Sequence, residues 1–175
     1  MASNMSDHGA LAPPVLTPGP RVLIVAAPFY RAITDGLIAG ARAKLDAAGA
    51  QSEVIEAPGA LELAPTIRMA AESGAYEGYV ALGCVIRGET THYETVCEES
   101  ARGVTYLTVK RGLAIGNGVL TVETEEQALA RALPERMDKG GGAALACLHL
   151  ISFARRFRPP RGAVGRPSDD GILLA

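Results

Sequence analysis

Short apolar runs alternate with helical spacings along most of the chain. Residues 21–27 (RVLIVAA) form a continuous Val/Ile/Leu run, as expected of a strand buried on both faces. Thr34 then stands in the position of a helix cap. Leu37, Ile38, Ala41 and Leu45 share one face of the Ala-rich segment that follows, which ends near residue 48. Residues 52–57 alternate in character and read as a second strand. Pro58-Gly59 breaks it, and 61–73 return to helical spacing. Residues 79–86 (YVALGCVI) read as a third strand. Residues 93–110 mix a helix with a late apolar stretch whose end the pattern does not fix. Residues 118–122 (GVLTV) read as a fourth strand. Thr124 with Gln127 makes a capping box that opens a helix over 125–133, and 143–157 form a final amphipathic helix.

Strand and helix alternate throughout, so the predicted class is α/β: a four-stranded parallel sheet covered by helices on both faces, with right-handed crossovers. No internal repeat is visible. A chain of 175 residues fits one domain with a single core, placed at residues 21–157. Residues 1–20 carry four prolines and two glycines and read as a flexible N-terminal arm. Residues 155–175 hold five arginines and three prolines, and from 158 onward the chain reads as a flexible C-terminal tail.

Composition narrows the function classes. The formal net charge is −2 and no long basic run lies inside the body, which argues against a nucleic-acid partner. With five tyrosines, three phenylalanines and no tryptophan, a base-stacking platform is not expected. The three cysteines, Cys84, Cys97 and Cys147, are odd in number and lack C-x-x-C spacing, so neither a disulfide framework nor a metal site is expected. Each lies in an apolar neighbourhood, which suits packing in a reduced, cytoplasmic setting. The N-terminus lacks the charge and apolar core of a signal peptide, and no segment approaches a membrane span.

Ligands of such sheets bind beyond the carboxyl ends of the strands. Residues 27–30, 57–62 and 83–92 fall there, with Asn117 just before the fourth strand. Phe29 is a packing residue or a ring-stacking platform. Pro58-Gly59 is a plain turn or a close backbone approach to a ligand. Residues 87–92 (RGETTH) carry more information. Gly88 permits a tight turn, and Thr90 and Thr91 set hydroxyls beside unpaired amides at a helix start, as anion sites do; the alternative is a capped helix with no ligand. His92 alone among the histidines sits at such a junction, where imidazole can give and take protons. Arg131 is a candidate cation for a phosphate or a solvated helix residue. Lys139, before the glycines 140–142, is a C-terminal helix charge or an anion ligand.

Together these segments resemble the lumazine synthase family. The most specific element is 83–93 (GCVIRGETTHY), similar to the family's G-x-V-I-R-G-x-T-x-H-[YF] signature. Pro58–Glu62 (PGALE), residues 117–121 (NGVLT), residues 126–131 (EQALAR) and Lys139-Gly140 follow in the family's order.

The resemblance implies a flavodoxin-like, three-layer αβα fold and a reaction without cofactor or metal. It condenses 5-amino-6-(D-ribitylamino)uracil with 3,4-dihydroxy-2-butanone 4-phosphate to 6,7-dimethyl-8-ribityllumazine, in riboflavin biosynthesis. By the same resemblance Phe29 lies under the pyrimidine, and Ala60, Leu61 and Glu62 contact the ribityl chain. Cys84, Val85 and Ile86 meet the pyrimidine edge, while Asn117 and Lys139 are further substrate contacts. Glu89, Thr90 and Arg131 hold the phosphate, and His92 is the general acid/base. Glu89 departs from the small or neutral residue of many members, so its amide rather than its carboxylate is expected to face the ligand. Leu61 replaces a common phenylalanine.

Family members form homo-oligomers: pentamers, paired pentamers or sixty-subunit shells, with sites between neighbours. Residues 133–138 (LPERMD) lack the glycine of many shell formers, which favours a pentamer or decamer. The rival readings are a diverged riboflavin- or lumazine-binding protein and a scaffold of the same fold. The retained His92, Thr90 and Arg131 argue against both.

Overall fold

The computed structural model describes residues 11–158. Ten elements follow in order: β1 (Arg21–Ala26), α1 (Arg31–Ala47), β2 (Gln51–Glu56), a 3-10 turn (Ala60–Glu62), α2 (Leu63–Glu72), β3 (Gly78–Ile86), α3 (His92–Arg111), β4 (Ile115–Val122), α4 (Glu125–Ala132) and α5 (Lys139–Arg156). The four strands make one parallel sheet in the order β2-β1-β3-β4. The α/β class and the four-stranded parallel sheet are as expected. Residues 1–10 of the expected arm and 159–175 of the expected tail lie outside the described residues; in the rest of the arm Leu16 and Pro20 are buried.

Strand periodicity divides the core in two. Val22, Ile24 and Ala26 of β1, with Val80 and Leu82 of β3, face Leu37 and Leu45 of α1, Ala128 of α4 and Leu148 of α5. The alternate residues Leu23, Val25, Tyr79 and Ala81 face Leu63 and Ile67 of α2 and Val104 and Leu107 of α3. The uninterrupted apolar runs are therefore the two central strands, buried on both faces. The more polar QSEVIE of β2 sits at one edge and β4 at the other.

Several element ends differ from the sequence reading. Thr34 does not cap α1; it lies inside the first turn, fully buried, and its hydroxyl donates to the carbonyl of Ala27 at 3.1 Å. That bond ties the start of α1 to the end of β1, so the hydroxyl serves a tertiary contact. β4 begins at Ile115, not 118, so Asn117 lies within the strand rather than ahead of it. α3 runs unbroken to Arg111. The 61–73 segment opens with a 3-10 turn before α2 proper.

α5 starts at Lys139, four residues ahead of the expected 143. Lys139 therefore stands at a helix N-terminus, not a C-terminus. Asp138 caps it, accepting from the Gly141 amide at 3.0 Å. Among the glycines 140–142, Gly140 is demanded by backbone contact. A Cβ on Gly140 would fall 2.0 Å from the Leu37 carbonyl oxygen, and one on Gly116 would fall 1.8 Å from that of Ala143. The first bare backbone lets α5 press on α1, the second on β4. The Thr124 cap of α4 is present, with its hydroxyl accepting from the Gln127 amide at 3.3 Å.

Candidate active site

β1, β2 and β3 end on the same side of the sheet, and the segments leaving them enclose a cavity of about 480 Å³. β1 contributes Phe29 and Tyr30, and β2 contributes Pro58 to Glu62. β3 contributes Cys84 to Ile86 and then Gly88 and Thr90; His92, Tyr93 and Val96 come from the first turns of α3. β1 lies between β2 and β3, so the chain leaves it in one direction and returns across it in the other. This is the topological switch at which α/β sheets open a crevice.

The walls are mainly apolar. Phe29 is 75% exposed, an unfavourable setting for a benzyl group unless a ligand covers it. Its ring is held edge-on to Tyr30, with centroids 5.1 Å apart. Cys84 is buried in the floor. Burial, with a smaller contribution from nearby Cys97, pushes its thiol up to about 11, so it is a neutral wall group at physiological pH.

The polar side of the crevice is the turn between β3 and α3. The Arg87 amide donates to the Val122 carbonyl at 2.9 Å, which extends the β3–β4 ladder by one residue. The backbone then bends, and α3 opens with no side-chain cap from Thr91. The His92 amide makes one long contact to the Thr90 hydroxyl, 3.4 Å. Amides left open at the start of a 20-residue helix, with its dipole behind them, favour an anion there. The His92 imidazole is exposed and has no hydrogen-bond partner among the described residues.

Residues 19–155 match the family model described as 6,7-dimethyl-8-ribityllumazine synthase. The chain belongs to the lumazine synthase family. It is 57% identical to the 6,7-dimethyl-8-ribityllumazine synthase of Erythrobacter litoralis over 137 residues, covering 78% of this chain and 97% of that one. Identity is 56% to the enzyme of the same name from Sphingopyxis alaskensis (78% and 96% covered) and 53% to that from Methylobacterium radiotolerans (78% and 84%). The activity is accordingly that of a lumazine synthase, a transferase.

Within this lumazine synthase chain, nine of the sequence-selected residues line one cavity: Phe29, Ala60, Leu61, Glu62, Cys84, Val85, Ile86, Thr90 and His92. Glu89 is exposed in the same turn but is not part of the wall. Three others stand apart from it. Asn117 is exposed on β4, its side-chain oxygen accepting from the Val119 amide at 3.0 Å. Arg131 lies in the last turn of α4 and donates to the Gln127 carbonyl at 3.0 Å. Lys139 is exposed at the start of α5.

Tyr30, Tyr93 and Val96 also line the cavity and were not singled out from the sequence. Val96 was within reach, since it lies four residues after His92, one helical turn along. Arg87 was quoted within the signature without a role. Here it joins Glu94 and Glu123 and covers the Tyr93 ring at 4.2 Å. No helix among the described residues is long and apolar enough to cross a membrane.

Proposed function

We propose that this crevice is where the chain joins 5-amino-6-(D-ribitylamino)uracil to 3,4-dihydroxy-2-butanone 4-phosphate. The observation that carries the reading is one cavity bounded by an exposed aromatic ring, Phe29, on one side and by the open helix start with His92 on the other. The pyrimidine stacks on Phe29, with its edge against the backbone of Val85 and Ile86 and its ribityl chain toward Ala60, Leu61 and Glu62. The phosphate sits on the amides at Glu89 and Thr90.

The pyrimidine's amine attacks the ketone carbon. Loss of water leaves an imine, a carbon-bound proton departs, and the C–O bond to phosphate breaks. The second nitrogen then closes the ring with loss of a further water. His92 accepts and returns these protons, while the helix start stabilises the leaving phosphate. Holding two reactants side by side supplies much of the acceleration. Replacing His92 by Ala lowers kcat by about 10²-fold and leaves substrate binding largely intact. Unchanged lumazine formation, followed by fluorescence, would remove His92 from the mechanism.

Arg131, Asn117 and Lys139 enter the site by assembly. Each is outside the cavity of its own chain, and β4 presents Asn117 at an open sheet edge. α3 also exposes Tyr106 and Val109. A homo-oligomer, pentamer or decamer, lets a neighbour's polar residues complete the phosphate site. Three free thiols suit a reducing, cytoplasmic setting.

A further inference from the structure

His92 reaches the crevice with an imidazole that no hydrogen bond orients among the described residues. Its direction is therefore set by the backbone, that is, by where α3 begins and at what angle. The Thr91 side chain does not cap that start. What holds it is Arg87. One guanidinium nitrogen bonds the carboxylate of Glu94 in the first turn of α3. Nε donates to Glu123, just past the end of β4, at 2.7 Å. The same group lies 4.2 Å over the ring of Tyr93, which lines the cavity. Glu123 is itself fixed, because its amide donates to the Gln127 side chain at 2.9 Å in the first turn of α4.

We propose that Arg87 is a positioning residue for the reaction: shared between two carboxylates and laid on Tyr93, its guanidinium fixes the angle at which α3 presents His92 and the Thr90 amide to the crevice. The proposal rests on the reading of His92 and Thr90 as reacting-site groups. Arg87, Glu94 and Glu123 are each partly exposed, so any single pair contributes little to stability. Their value is geometric. Three elements, β3, β4 and α3, meet at one planar fork, and a reacting group displaced by an ångström loses rate steeply.

The test uses the full chain, with Arg87→Met, Arg87→Lys, Glu94→Gln, the double variant Arg87→Met/Glu94→Gln, and His92→Ala as reference. Single-turnover rate, KM for each substrate and thermal midpoint are measured on all five. Arg87→Met is expected to lower the single-turnover rate by about 10- to 100-fold. KM for the pyrimidine stays within about twofold, since Phe29 is remote from the clasp and Val85 and Ile86 are held by the β3–β4 ladder without it. Lysine restores only part of the loss, because an ammonium cannot fork onto two carboxylates. Glu94→Gln lowers the rate on its own and adds little once Arg87 is gone.

A rate for Arg87→Met within twofold of the parent, while His92→Ala falls, overturns the clasp and spares the His92 reading. Multiplying effects in the double variant also overturn it. So does a rate loss that merely follows the unfolded fraction. If Arg87→Met does not fold, Glu94→Gln decides: a parental rate rejects the proposal. A parental rate for His92→Ala rejects both readings.

Discussion

Single side chains in the crevice divide into walls and reacting groups, and protonation separates them. A thiol in the floor of an enzyme cavity invites assignment as a nucleophile. Burial drives Cys84 the other way, to about 11, so near pH 7 only about one molecule in ten thousand carries the thiolate. Iodoacetamide at pH 7 should therefore leave Cys84 unmodified in the folded protein, while all three thiols react after denaturation. Rapid labelling of Cys84 in the native state, read by peptide mass, would contradict the wall assignment. At the mouth of the first connection, the hydrogen bond from Arg31 holds the Glu56 carboxyl below the usual carboxylate range. A depressed carboxyl stabilises the fold above its unfolded pKa, and the contribution fades as pH falls through the folded value. The thermal midpoint of Glu56→Gln should lie below the parent's near pH 7, with the gap closing toward pH 3. A gap that widens in acid would be the wrong sign. The crevice residues carried by the signature, from Cys84 to His92, were legible because strand, turn and helix start are contiguous there. Tyr30 and Tyr93 were not, because an aromatic beside a stronger candidate has no local mark of which way it points.

Elements were legible where the apolar period was long and misread where a tertiary contact overruled local propensity. β1 and β3 announce their double burial through apolar runs with no charged residue between their ends. Thr34 looked like a cap because free hydroxyls prefer that role, yet a buried carbonyl at Ala27 claims it. The last helix was expected from 143, past three glycines that weaken helices, yet α5 begins at Lys139. At Gly140 the reason lies across the interface, where the Leu37 backbone leaves no room for a methyl group. The three residues of β4 before 118 were missed for the same cause, since Gly116 and Asn117 are poor strand formers. Gly116→Ala tests this directly. Its Cβ meets the Ala143 carbonyl oxygen, so α5 must shift. The expected cost is about 3 kcal/mol, a drop in thermal midpoint of about 6–12 °C. A midpoint within a degree or two of the parent would mean that α5 has slack against β4.

At the scale of the molecule, the strand order accounts for the crevice and the edges account for what lies beyond it. Helices on both faces imply that the winding reverses somewhere, but neither the place of the reversal nor the neighbours of each strand was legible, since many orders satisfy the same pattern. Asn117, Arg131 and Lys139 were selected as polar residues of a motif series and lie outside the cavity of their own chain, since spacing along a chain carries no sign of which subunit's cavity a residue serves. The pentamer or decamer proposed above predicts five or ten chains per particle by light scattering. A mass near sixty chains would show that 133–138 tolerate shell curvature, and a monomer would leave Arg131 without a role.

Arg155 near the end of α5 forks onto Glu77, ahead of β3, and also bonds the Pro18 carbonyl, ahead of β1. The described chain is thereby gathered at the amino ends of the strands, the pole opposite the chemistry. Cargo or an affinity handle joined directly after α5, in a chain cut back to Arg158, would leave from that far pole, away from the substrate doorway of its own protomer.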